Sequence, residues 1–267
     1  MLNKIKTGAL VTLSAISAFI VYQSLYIVLS FFVTDTDICY LITLIATIII
    51  GGLYSSVVLK PFGVVLDKNG RVPKKDWGAR ITKRYVGISV ATMAVFGLFV
   101  VFLSIAFLVD SGAMGYTDMT WLHIFMSILL VPVAEELIYR RFLYAELTQI
   151  NKIVAFVTEI LFFALMHEGI AHKILALAGG AILTMIYDRT KSIWTGVLCH
   201  MTYNALIIAV SLISVDNFVA KIALIPVAIG FAFLVYLWLK TPVDYNALKA
   251  HNSNKERRKQ VRTKGDE

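Results

Sequence analysis

The chain has 267 residues, 58% of them hydrophobic, with a mean hydropathy of +0.77 and a formal net charge of +8. Soluble domains are about 45–50% apolar even when glycine is counted, so this composition excludes an ordinary soluble enzyme. Long apolar runs with short polar breaks exclude a membrane barrel, and the two cysteines, Cys39 and Cys199, are too few for a disulfide framework or a cysteine-rich metal site.

Lys4 and Lys6 precede the first apolar run, Gly8–Val33. A signal-peptide core has roughly 7–15 apolar residues, so this longer run reads as an uncleaved first helix. The same pattern gives spans at 8–33, 38–59, 85–109, 119–148, 152–168, 172–187, 192–213 and 217–239. The fold expected is all-α: a polytopic membrane protein of about eight transmembrane helices, with residues 1–240 as one membrane domain. Residues 241–267 form a basic, polar tail expected to be flexible.

Eight of the 25 Lys and Arg lie in Lys60–Arg84, eight more in Lys240–Glu267, and two before the first span. The alternate connections "TDTD", "DSGAMGYTDM" and "SVDN" carry acids and no Lys or Arg. Cations that gather on one side of a span mark the cytoplasm, so both termini are expected there, in a cell membrane. The tail "KERRKQVRTK" suits anionic lipid headgroups rather than nucleic acid. The loop "PFGVVLDKNGRVP" after the second span is rich in turn residues.

The fourth span is long. Thirty residues of helix would cover about 45 Å, against a hydrocarbon core of about 30 Å. It should project from the membrane or bend near Pro132, which cannot donate a helical hydrogen bond. Gly179-Gly180 in the sixth span reads as a packing notch.

Ionisable residues are costly inside a span and gather where a protein uses them. Glu135, Glu136 and Arg140 lie in span four, Glu159 and His167 in span five, His200 and Asn204 in span seven. A polar site between helices four, five and seven is therefore expected. Glu136 and Arg140 are i and i+4, so they share a face and can pair as structural support. Glu135 points about 100° away, without that cation, as a carboxylate suited to proton transfer. His200 and Asn204 are again i and i+4; they can donate to a developing oxyanion, or His200 can bind a metal. Phe163 stands one turn before His167, as core packing or as a substrate contact. Glu159 lies two turns before His167 and is a weaker candidate for lining the cavity. His123, His172 and Glu168 fall near span ends and read as interfacial, and Cys199 reads as a small apolar residue.

"EELIYR" (Glu135–Arg140), "FALMH" (Phe163–His167) and "HMTYN" (His200–Asn204) follow one another on successive helices. Together they resemble the EExxxR, FxxxH and HxxxN motifs of the CPBP family, which groups CAAX-type prenyl-protein proteases with bacteriocin-processing Abi proteins. The resemblance covers about 119–210. It implies an intramembrane endopeptidase acting on a membrane-associated protein or peptide. In that reading Glu135 activates the attacking water, His167 holds it, His200 and Asn204 stabilise the oxyanion, and Glu136 and Arg140 brace the site. No HExxH zinc signature is present in the chain, so the expected chemistry is metal-free; in the alternative, Glu135, His167 and His200 would ligate Zn²⁺. Outside catalysis, the alternative is a membrane adaptor or immunity protein that binds a partner such as a sensor kinase. A transporter would be expected to show broken helices in two repeated halves, and the sequence shows no such duplication.

One spatial problem follows from these boundaries. Upright helices would leave Glu135 toward the cytoplasmic side and His167 near the far end of span five, beyond hydrogen-bonding reach of each other.

The charge pattern makes a direct prediction. Reporter fusions after residue 75 and at the C-terminus should both report the cytoplasm. An external signal from either overturns the orientation.

Overall fold

A computed structural model describes residues 20, 22, 24–53, 83–107, 120–148, 151–190, 192–213 and 215–241. The described part of the first span, which includes 24–30, is helical and is called α1. It is followed by α2 (Thr36–Leu53), α3 (Lys83–Phe107), α4 (121–147), α5 (Lys152–Leu165), α6 (Ile170–Thr190), α7 (Ile193–Ser211) and α8 (Asn217–Lys240). Among the described residues there is no strand, so the protein is an all-α, polytopic membrane protein. Most of the first span, the loop 60–82 and the tail 242–267 lie outside the described residues.

Five of these helices are long and apolar enough to cross a membrane: most of α3, residues 121–144 of α4, and α6, α7 and α8. The described part of α2 is shorter. Helix α5 has only 14 residues, about 21 Å of rise, and so falls short of the full span expected at 152–168.

Polar side chains set the helix starts by accepting from otherwise unpaired N–H groups. Asp35 Oδ1 accepts from Ile38 N, Asn151 Oδ1 from Ile153 N, Ser192 Oγ from Thr195 N and Asp216 Oδ1 from Phe218 N. Between α5 and α6 the chain reverses at Gly169, whose φ of +74° is easily reached only without a Cβ.

Helix α4 is not uniform. Residues 126–130 and 136–144 are wound as π-helix and the rest as α-helix. Pro132 supplies the cause. In the first π segment the Val131 N–H bonds to Met126 O, so Ser127 O would next be answered by residue 132, which has no N–H. The bend expected near Pro132 is thus realised as a change of winding. Such π segments often sit at functional sites.

Helices α5 and α6 form a close antiparallel hairpin. Lys152 Nζ meets Asp188 Oδ2 at 2.6 Å at one end, and the Thr184 hydroxyl donates to Glu159 midway. At Gly180 a Cβ would lie 2.9 Å from Phe163 Cδ1, so the glycine is what allows that ring to lie against α6. This bears out the packing notch. On the other side, α8 packs antiparallel to α3. Trp238 Nε1 donates to Ser89 Oγ at 3.1 Å, and Asn217 Nδ2 donates to Ile105 O and Ala106 O at the opposite end. Helix α7 lies against α3 through Tyr203, which stacks on Phe96 and packs at Gly97.

The hairpin also removes the spatial problem. Counted from the connection between α4 and α5, Glu135 lies 12 residues before Leu147 and His167 lies 15 after Lys152. At 1.5 Å per residue these are depths of about 18 and 22 Å, close to level. The short α5 turns back within the protein, so its far end is at the depth of the site.

Gly180→Ala should therefore press a methyl group into the Phe163 ring. Overpacking of this kind costs about 1–3 kcal/mol. A lower melting temperature in detergent is expected, and unchanged melting would show that the hairpin has room there.

Candidate active site

Arg140 is the centre of the buried polar cluster. Its Nη1 lies 3.1 Å from Glu136 Oε1 and its Nε 3.5 Å from Glu159 Oε1, with all three side chains fully buried. Nη2 donates to Gly180 O at 3.3 Å, and the guanidinium lies over the Phe163 ring, 4.6 Å from its centroid. The guanidinium therefore makes two ion pairs, one hydrogen bond and one contact through its face. Arg140 thereby joins α4, α5 and α6. Glu159, a candidate for lining the cavity on its spacing alone, belongs to this brace instead: it is fully buried between Arg140 and the Thr184 hydroxyl.

Glu136 extends the brace to α7. Its Oε1 also meets His200 Nδ1 at 3.1 Å. An ionised carboxylate only accepts, so Nδ1 carries the proton and Nε2 faces away from Glu136. Helix α7 passes close at this point. A Cβ at Gly196 would lie 2.5 Å from Glu136 Oε2, so only glycine leaves room for the carboxylate.

Glu135 is placed differently. Its side chain is 26% exposed, against 0% for Glu136, and its Oε2 lies 3.5 Å from His200 Nε2. It opens onto a cavity of about 220 Å³. His167, His200, Asn204 and Phe163 line the same cavity, joined by Ser127, His172 and Tyr40. Met93, Val131, Leu183 and Ile207 supply apolar wall. The expected division of the adjacent glutamates is therefore seen: Glu136 goes to Arg140, Glu135 to the cavity.

His167 Nδ1 lies 2.8 Å from Phe163 O. A carbonyl only accepts, so Nδ1 donates, and Nε2 keeps a lone pair. The ring stands edge-on to His172, with centroids 4.6 Å apart. Phe163 links the cavity to the brace: its carbonyl accepts from His167, its ring meets His200 edge-on at 6.0 Å, and its face carries Arg140. Asn204 Nδ2 donates to Ser127 O at 2.8 Å. This is the carbonyl left without a helical donor by Pro132. The amide thus satisfies a backbone group as well as lining the cavity.

All the motif residues gather here, around helices α4, α5 and α7 as expected, with α2, α3 and α6 completing the wall. His123 stays at the N-terminal end of α4, where its Nδ1 meets Asp37 Oδ1 at 3.1 Å. Cys199 is buried. His172, read as interfacial, lies in the cavity; its position five residues beyond His167, across the Gly169 turn, was the available signal. Nothing local marked Tyr40, Ser127 or Gly196, because each acts through a helix distant in sequence. Among the described residues no three His, Cys, Asp or Glu side chains converge closely enough to hold a metal ion. The set Glu135, His167 and His200 lines one cavity without forming such a group.

Arg140→Ala should strand Glu136 and Glu159 as uncompensated buried charges, at a cost of about 3–5 kcal/mol. Lower abundance and lower melting temperature are expected together. A variant with normal levels and normal melting would show the brace to be dispensable.

Comparison with known proteins agrees with this geometry. Residues 116–206 match the family described as type II CAAX prenyl endopeptidase, Rce1-like. A relative from Bacillus subtilis (strain 168), named "Putative membrane peptidase YdiL", is 28% identical over 101 residues, which is 38% of this chain and 41% of the relative. The chain thus matches about two fifths of that relative's length. No solved structure matches. The family match covers the segment that carries EELIYR, FALMH and HMTYN, and that segment is similar to the Rce1-like family.

Proposed function

We propose that this protein is an intramembrane endopeptidase that hydrolyses a peptide bond of a membrane-associated protein or peptide with a glutamate-activated water. The observation that carries the reading is the placement of Glu135. It is the carboxylate of the cluster that opens onto the cavity, while Glu136 and Glu159 are taken up by Arg140.

The hydrogen-bonding roles support one assignment. A water in the cavity donates one hydrogen to Glu135 and the other to the lone pair of His167 Nε2, which leaves an oxygen lone pair for the substrate carbonyl. Glu135 takes a proton as the water attacks and the C–O bond forms. The carbonyl oxygen becomes the oxyanion, facing His200 Nε2 and the remaining N–H of Asn204. A His200 ring that donates from both nitrogens carries both protons, and Glu135 and Glu136 flank it. Glu135 then passes its proton to the leaving nitrogen as the C–N bond breaks. Exclusion of water from the surrounding apolar walls strengthens each of these dipoles. In the zinc alternative Glu135, His167 and His200, which line the same cavity, would be the ligands.

The substrate is to be found by comparing membranes with and without the protein and identifying the peptides that accumulate uncut. Glu135→Gln keeps the shape and hydrogen bonding but removes the base. It should fold and bind while cleavage falls about 10²–10⁴-fold. An adaptor would keep its function with Gln at this position, so an active variant overturns the protease. Asn204→Ala should cost about 10²–10³-fold, as for one oxyanion donor of two, and should also lower melting because Ser127 O loses its donor. Purified protein should retain cleavage under strong chelation. Zinc near one per chain, with activity lost on stripping and restored on reloading, would make Glu135, His167 and His200 ligands and overturn the glutamate-activated water.

A further inference from the structure

Among the described residues the cavity is closed on one side and open on the other. Its lining reaches almost to the ends at which α2, α4 and α6 start. Tyr40 lies four residues after Thr36, Ser127 six after Trp121 and His172 two after Ile170, about 6, 9 and 3 Å of helix rise. The starts of α2 and α4 meet directly, His123 and the Thr120 cap both contacting Asp37. Glu135 and Leu183 line the deepest part, 14 and 13 residues from the starts of α4 and α6, about 20 Å. Tyr40, Ser127, His167 and His172 are half-buried, whereas Met93, Leu183 and His200 are buried.

Beyond Glu135 the cavity stops at the brace. Glu136, Arg140 and Glu159 are fully buried, and Leu137, Phe142, Tyr144, Tyr187 and Val197 form one core cluster behind them. The α7 backbone closes on Glu136 at Gly196, where a Cβ would lie 2.5 Å from the carboxylate. A peptide passing this way would have to part Arg140 from its carboxylates, which a buried ion pair opposes strongly. At the other side the α5–α6 hairpin supplies the mouth. It turns at Gly169, two residues past His167, while α4 continues for several turns beyond Glu135 toward Trp121. The wall there is low, and His172 stands at its rim.

The connections at the closed end carry the basic loop 60–84 and the basic tail, and those at the open end carry "TDTD", "DSGAMGYTDM" and "SVDN". Cations stay on the cytoplasmic side of a span, so the open end is the external one. From this geometry we infer that the cavity is entered from the outer face of the membrane, and that its substrate is an extracytoplasmic segment of an exported, membrane-associated peptide or protein. That the entrant is cut rests on the peptidase reading above; the side of entry rests on the cavity and the charge pattern. A cytoplasmic protein tail does not fit, because the brace stands between it and Glu135.

The test uses the full chain in right-side-out and inverted membrane vesicles, probed with a membrane-impermeant maleimide. Wild type is the blank, since Cys39 and Cys199 are buried. Ser127→Cys and His172→Cys place a thiol in the cavity, and Lys152→Cys marks the opposite end of the hairpin, at an exposed side chain. The two cavity thiols should react in right-side-out vesicles and stay unmodified in inverted ones; Lys152→Cys should do the reverse. Either cavity position decides alone where the other variant fails to fold. A pool of polar, internally quenched decapeptides should be cut when added to right-side-out vesicles and remain uncut with inverted ones. Cavity thiols that react from the inverted side, or from neither side in protein that melts normally, overturn the inference, as does Lys152→Cys reacting from outside. Cleavage in inverted vesicles alone overturns it too and leaves the peptidase standing. If neither preparation cuts the pool while the cavity thiols react from outside, the peptidase reading fails and the side of entry stands.

Discussion

A guanidinium buried between two carboxylates is the constraint on which the rest depends. Arg140 loses its hydration in a place where each uncompensated charge costs several kcal/mol. It is stable there because Glu136, Glu159, Gly180 O and the face of Phe163 surround it on four sides. Those partners come from α4, α5 and α6, and Glu136 brings in α7 through His200. Helix positions that lipid alone would leave free are thereby fixed. The same arrangement occupies two of the three glutamates. Glu135 is left facing water-sized space with two imidazoles, which is the chemical condition for a base.

Backbone winding sets where Glu135 points. Pro132 removes one N–H from α4 just before the glutamate pair, and the helix answers with π winding rather than a break. The carbonyl released, Ser127 O, is taken by Asn204 from α7. A side chain that faces the cavity is therefore also a structural bond between α4 and α7. One amide thus both lines the cavity and ties two helices.

The parts of the chain outside the matched segment do two kinds of work. Helices α3 and α8 form a scaffold closed by Trp238 on Ser89 and Asn217 on the end of α3, far from the charges. Arg189 joins it, donating to Trp238 O and Leu239 O at the end of α8. Helix α2 also reaches the cavity, through Tyr40, as α3 does through Met93. The matched segment carries the motif residues, and the flanking helices complete the walls around them.

The sequence by itself determined a polytopic helical membrane protein, because apolar run length and cation placement answer directly to the bilayer. It also determined the separate fates of Glu135 and Glu136, because an i, i+4 spacing fixes which carboxylate meets Arg140 on any helix. The predicted ends of the last six helices lay within about three residues of those observed, since Asn151, Ser192 and Asp216 mark starts locally. Other features rest on distance in space rather than in sequence. That Glu159 braces Arg140, that Gly196 makes room for Glu136, that His172 turns inward and that Tyr40 reaches the site are settled only when four or more helices pack. The depth of His167 is of the same kind. Span boundaries placed it across the membrane from Glu135, while the short α5 and its Gly169 reversal bring it level. Hydropathy reports how far a segment prefers lipid; it does not report the depth at which a helix buried among others lies, because there the neighbouring protein replaces lipid as the solvent.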